Sequence, residues 1–123
     1  MKTYFIDIDG TIVPNLSWND LKMYSKVDDY IQELLPGVSH FFNALSNDDI
    51  VIFTTARGSC FKEMTERTLK FHNIKYREII YDLNVGPRIL INDTPNIFFH
   101  KSIAINVLRD SGFGDSFIFD EEF

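Results

Sequence analysis

An apolar run of strand-forming residues, Tyr4-Phe5-Ile6, ends in Asp7-Ile8-Asp9-Gly10-Thr11. In a strand, residues two apart point the same way, so Asp7 and Asp9 start on a common side. Two carboxylates at the end of a buried strand repel each other and cost desolvation unless a cation sits between them. A site built only of oxygens suits Mg²⁺, which keeps part of its water and takes phosphate oxygens as further ligands. Gly10 lets the chain turn where a side chain would clash. Asp-x-Asp-Gly is equally the chemistry of an ordinary turn after a strand, so the stretch alone leaves both readings open.

Two further apolar runs stop in the same manner. Ile50-Val51-Ile52-Phe53 ends at Thr54-Thr55-Ala56-Arg57-Gly58, and Arg88-Ile89-Leu90-Ile91 ends at Asn92-Asp93-Thr94-Pro95. Continuous apolar runs fit strands buried on both faces. Between the first two, Val38, Phe41, Phe42 and Leu45 fall on one face of a helix that Asn47 ends. Ser59 caps a second helix with Phe61, Met64, Thr68 and Leu69 inward; Glu63–Arg67 and Glu66–Lys70 pair outside. Residues 74–81 read as a connection and strand, and Ile103–Val107 as a fifth strand. Strands alternating with amphipathic helices predict a single α/β domain over residues 1–123 with a mostly parallel sheet. Residues 12–35 carry no clean period and read as a loop or hairpin over the site, with a helical turn from Asp28 to Leu35. The 109–123 tail mixes aromatics with acids and is open to three readings: an edge strand, a partner-binding segment or a frayed end. In open α/β sheets ligands sit outside the carboxyl ends of the strands, where Asp7, Thr55 and Asp93 can converge.

With these motifs in this order, the chain resembles the haloacid dehalogenase-like phosphohydrolases, whose first motif reads Asp-x-Asp-Gly-Thr. The resemblance covers the chain to about Val107 and implies a three-layer Rossmann-like fold. It implies that Asp7 is the nucleophile, passing through an aspartyl-phosphate, and that Asp9 is the general acid/base. Thr55 would bind the transferring phosphoryl, and Gly10, Thr11, Ala56 and Arg57 would surround it. Mg²⁺ would be held by the Asp7 carboxylate, the Asp9 main-chain carbonyl and Asp93. Neither 12–35 nor 58–84 has room for the cap domain of larger members, so a capless enzyme with an open site is expected. The Gly86–Asp93 stretch is also similar to small capless members found among bacterial surface-sugar biosynthesis proteins. Trp18, in the loop after the first motif, is placed to stack on a leaving group, and packing into the body is its alternative.

Two positions depart from the family pattern. Asn92 stands where a second acid is common, which lowers the charge offered to the metal. The third-motif Lys is missing near Leu83 and Asn84, and Arg88 is the nearest cation to replace it; pairing with a surface acid is the competing reading. A phosphorylated small molecule is the expected substrate. Alternatives are a binding or regulatory module without turnover, a phosphatase of nucleic-acid ends or phosphoprotein, and a receiver-like phosphoacceptor. Receivers pair adjacent acids rather than Asp-x-Asp, which disfavours the last. A net charge of −6 opposes non-specific binding to nucleic acid or anionic membrane. The single cysteine, Cys60, forms no internal disulfide, and no run approaches membrane-spanning length, so a soluble, cytoplasmic domain is expected.

Overall fold

The computed structural model describes residues 1–114. Strands β1 (Thr3–Ile6), β2 (Ile50–Thr54) and β3 (Glu78–Ile80) pair in that order, all parallel. Thr3 stands opposite Ile50 and Ile6 opposite Phe53, so β1 and β2 end level with each other. Parallel neighbours cannot be joined by a tight turn and need a crossover. Helices α1 (Trp18–Tyr24) and α2 (Val38–Ala44) lie in the first crossover, and α3 (Lys62–Phe71) in the second, entered through a 3₁₀ turn at Ser59–Phe61. The result is a small Rossmann-like α/β fold without a cap. Among the described residues no helix is long and apolar enough to cross a membrane.

The core gathers Ile6 and Ile8 from around β1, Val51 and Phe53 from β2, Val38 and Phe41 from α2, and Leu69 from α3. Phe41 sits edge-on to Tyr4 and to Phe113, with ring centroids 5.4 and 5.0 Å apart, the geometry aromatic rings prefer. Gly37 opens α2 with φ +79°, and an added Cβ there would collide with the Phe113 carbonyl. That close approach docks residues 112–113 against Pro36, with Phe113 N–H donating to the Pro36 carbonyl at 2.8 Å. Of the 109–123 tail, residues 115–123 lie outside the described part.

Several expectations differ from what is observed. Residues 12–35 are neither a bare loop nor a hairpin: they carry α1, whose cap is Ser17, its hydroxyl accepting from Asp20 N–H at 3.1 Å. No helix forms over 28–35: a turn at Asp28 and Asp29 is followed by a stretch without regular structure that buries Gln32. Residues 74–81, by contrast, divide as expected into a connection and strand β3, with Ile74 closing α3 as its N–H donates to the Leu69 carbonyl after Asn73 at φ +58°. The strands expected at Arg88–Ile91 and Ile103–Val107 are absent among the described residues, and Ile89 and Ile91 are 82% and 89% exposed. Local side-chain bonds flank the first of these runs. Arg88 Nη1 donates to the carbonyls of Asn84 and Gly86 at 3.1 and 3.0 Å, curling the chain just before the apolar run. Asn96 Oδ1 then accepts from Phe98 N–H, a turn that competes with strand pairing.

Candidate functional site

Beyond Ile6 the chain leaves the sheet and wraps on itself: the Ile8 carbonyl accepts from the N–H groups of Thr11 and Ile12. Gly10 makes this possible with φ +78°, a backbone region that side chains strain to enter. The turn fixes Asp7 and Asp9 on an open cleft of about 260 Å³, lined also by Gly10, Thr11, Val107 and Arg109.

The two carboxylates are held differently. Asp7 accepts from the Thr11 hydroxyl at 3.1 Å and stands 3.8 Å from the Arg88 guanidinium. Burial pushes its carboxyl above the usual range, while the Ile8 N–H, Thr11 and Arg88 pull the other way. Asp9 is gripped by Arg57 through two parallel bonds, Nε to Oδ2 at 3.1 Å and Nη2 to Oδ1 at 2.7 Å. The Arg57 side chain is 1% exposed. It also donates to Thr65 Oγ1 and Gln32 Oε1, both at 2.9 Å, so four of its five N–H donors are used inside the protein. A planar guanidinium bound at both edges holds a carboxylate in one orientation.

The site residues expected from sequence fall into two groups. Asp7, Asp9, Gly10 and Thr11 come together at the cleft, and the Arg88 guanidinium stands 3.8 Å from the Asp7 carboxylate. Thr55 and Ala56 follow β2, but Thr55 is fully buried and its hydroxyl accepts from Arg57 N–H at 2.9 Å. Arg57, expected beside the phosphoryl, turns inward to Asp9. Asp93 is exposed and paired with Lys101 at 3.0 Å, so the structure does not bring it to Asp7. Among the described residues no three His, Cys, Asp or Glu side chains are placed to hold a metal. Trp18 is not in the cleft lining; it is 58% exposed at the start of α1 and lies edge-on to Phe61, centroids 4.9 Å apart. Its ring also nears Gly58, in the loop that follows Thr55.

Gln32, Thr65 and Arg109 are the residues that sequence reasoning missed. Thr65 carried a weak signal, a polar residue beside the inward stripe of α3. Gln32 and Arg109 had none, because each reaches the site through tertiary packing alone.

Fold and site together define a small Rossmann-like α/β protein with paired acids at the carboxyl end of its first strand. No family model matches the chain, and no curated protein matches it. One solved structure that does is titled "Structure of Pnkp1/Rnl/Hen1 complex": TM-score 0.53, 22% identity, covering 71% of this chain and 30% of that one. At that identity the likeness supports the fold alone.

Proposed function

We propose that this chain is a phosphomonoester hydrolase working through Asp7. The observation that carries the reading is the contrast between the two acids: Asp7 borders the cleft as a half-exposed carboxylate, while Asp9 is locked by a buried arginine. A nucleophile needs access, and a proton carrier needs a fixed position. In the proposed reaction an Asp7 oxygen bonds to phosphorus as the ester P–O bond breaks, and the leaving oxygen takes a proton that the Asp9 carboxylate, paired with Arg57, relays from water. Asp9 then takes a proton from water, which attacks the aspartyl-phosphate and releases Asp7 and inorganic phosphate. Arg88 offsets the repulsion between Asp7 and the incoming phosphate. The Asp7 carboxylate and Asp9 carbonyl are hard oxygen donors that fit a Mg²⁺ site completed by substrate and water. When bound, Mg²⁺ would cancel further phosphate charge. The fold's likeness to a chain of the Pnkp1/Rnl/Hen1 complex is compatible with phosphoryl chemistry. A screen of phosphorylated metabolites with Mg²⁺, using Asp7→Asn as the blank, tests the reading; no turnover above the blank on any substrate would refute it.

Asp93 gives a sharper test of the metal. With Asp93 on Lys101, Asp93→Ala is expected to leave the Mg²⁺ midpoint of activity where it was. A midpoint raised tenfold would mean that Asp93 reaches Asp7 in solution and is the third ligand after all.

Trp18, near Gly58 in the loop after Thr55, is proposed to shape the leaving-group side. Trp18→Ala is expected to lower activity on bulky phosphomonoesters and spare acetyl phosphate. Loss of its edge-on contact with Phe61 costs about 1 kcal/mol of stability. Equal loss on both substrates would remove Trp18 from the leaving-group pocket.

A further inference from the structure

The cleft has six lining residues, and one of them is a cation that no motif anticipates: Arg109. Its place is fixed by the chain on either side. Val107 packs against the core before it, and Asp110 N–H donates to the Gly10 carbonyl at 2.9 Å after it. Asp110 takes φ +64°, and its carboxylate accepts from Asn15 N–H at 2.7 Å, tying the segment to the loop after the catalytic turn. Three residues further on, Phe113 is buried against Phe41. The stem of Arg109 lies over Gly10 so closely that a Cβ added there would stand 2.9 Å from its Cγ. Gly10 is therefore needed twice, for its turn and for the arginine above it.

The guanidinium has no carboxylate within ion-pair distance among the described residues. The nearby acids already have partners: Asp9 has Arg57, Asp7 has Arg88, and Asp110 has a main-chain N–H. With Asp110 counted, three carboxylates stand among three guanidiniums, and among the described residues Arg109 is the one guanidinium that none of these acids pairs. An exposed guanidinium without an acid partner, on an anchored backbone beside the proposed nucleophile, is suited to phosphate oxygens, which it can bind in bidentate fashion.

We infer that Arg109 binds the phosphoryl group of the substrate. The inference rests on the phosphatase reading and adds to it a phosphate-binding residue beyond Arg88. Inorganic phosphate serves as the probe, titrated calorimetrically with Mg²⁺ at fixed ionic strength against wild type, Arg109→Gln, Arg109→Lys and Lys70→Gln. Arg109→Gln keeps the carbon stem over Gly10 and removes the charge, so the melting temperature should not move. Its phosphate Kd is expected to rise at least tenfold, and its KM for an aryl phosphate with it. Arg109→Lys should recover part of the loss, and Lys70→Gln, on the outer side of α3, should show none. Equal phosphate affinity in wild type and Arg109→Gln overturns the assignment and leaves the phosphatase reading standing. A wild-type protein that neither binds phosphate nor hydrolyses any ester overturns that reading, and this inference with it.

Discussion

Asp7→Asn is expected to reduce turnover of an aryl phosphate by at least two decades, about 2.7 kcal/mol of barrier. The amide has nearly the shape of the carboxylate, and its carbonyl can still accept from the Thr11 hydroxyl that now meets Asp7 at 3.1 Å. What it lacks is an oxygen able to form the aspartyl-phosphate. The fold should not suffer. Burial disfavours the charged form of Asp7, which is why its carboxyl lies above the usual range. Such a group costs stability as pH rises through its pKa, so at neutral pH a neutral amide relieves that cost. Losing the attraction of Arg88, 3.8 Å away and itself partly exposed, offsets the gain only weakly. The melting temperature should therefore hold or rise slightly. Activity above about one per cent of wild type, in a variant that melts normally, would exclude Asp7 as the nucleophile.

How much of this could be read in the sequence depends on how local each feature is. Asp7, Asp9, Gly10 and Thr11 are near neighbours in sequence, so their meeting at one cleft was legible, although the turn after Ile6 rather than strand alternation brings it about. The apolar run Ile50–Phe53 was legible as a strand and became β2. Arg88–Ile91 has a similar pattern and is not a strand, because a run of three apolar residues specifies one only where a neighbour accepts its backbone bonds. The bonds of Arg88 to the carbonyls of Asn84 and Gly86 are invisible in a periodicity. α1 was missed although Ser17 and Asp20 stand at capping-box spacing, since the apolar residues after them follow no clear stripe. Arg57 illustrates a deeper limit. An arginine after a strand-end Thr can meet substrate, solvent or protein, and the partners that decide, Asp9 and Gln32, lie 48 and 25 residues away.

Arg57 should consequently matter for the fold as well as for the chemistry, and Arg57→Met is expected to be the most destabilising single change at the site. The substitution keeps much of the apolar stem but removes the donors that meet Asp9, Gln32 and Thr65. Gln32 is 3% exposed and Thr65 1%, so water cannot easily replace what they lose. Breaking a buried ion pair from one side costs about 3–5 kcal/mol, because the remaining charge is left without its partner. A domain of this size has roughly 5–15 kcal/mol in total, so the variant should unfold at much lower denaturant or fail to fold. Arg57→Lys separates the two roles. An ammonium retains the charge but cannot hold both Asp9 oxygens and Gln32 from one plane. It should therefore recover a good part of the stability while kcat stays at least tenfold down, since Asp9 is no longer held for proton transfer. A double-mutant cycle with Asp9→Asn gives the pair's own share, expected at 1 kcal/mol or more for groups in direct contact. A coupling near zero, or an Arg57→Met protein that melts like wild type, would mean that the Arg57–Asp9 bond does not form in solution, and the fixed proton carrier would go with it.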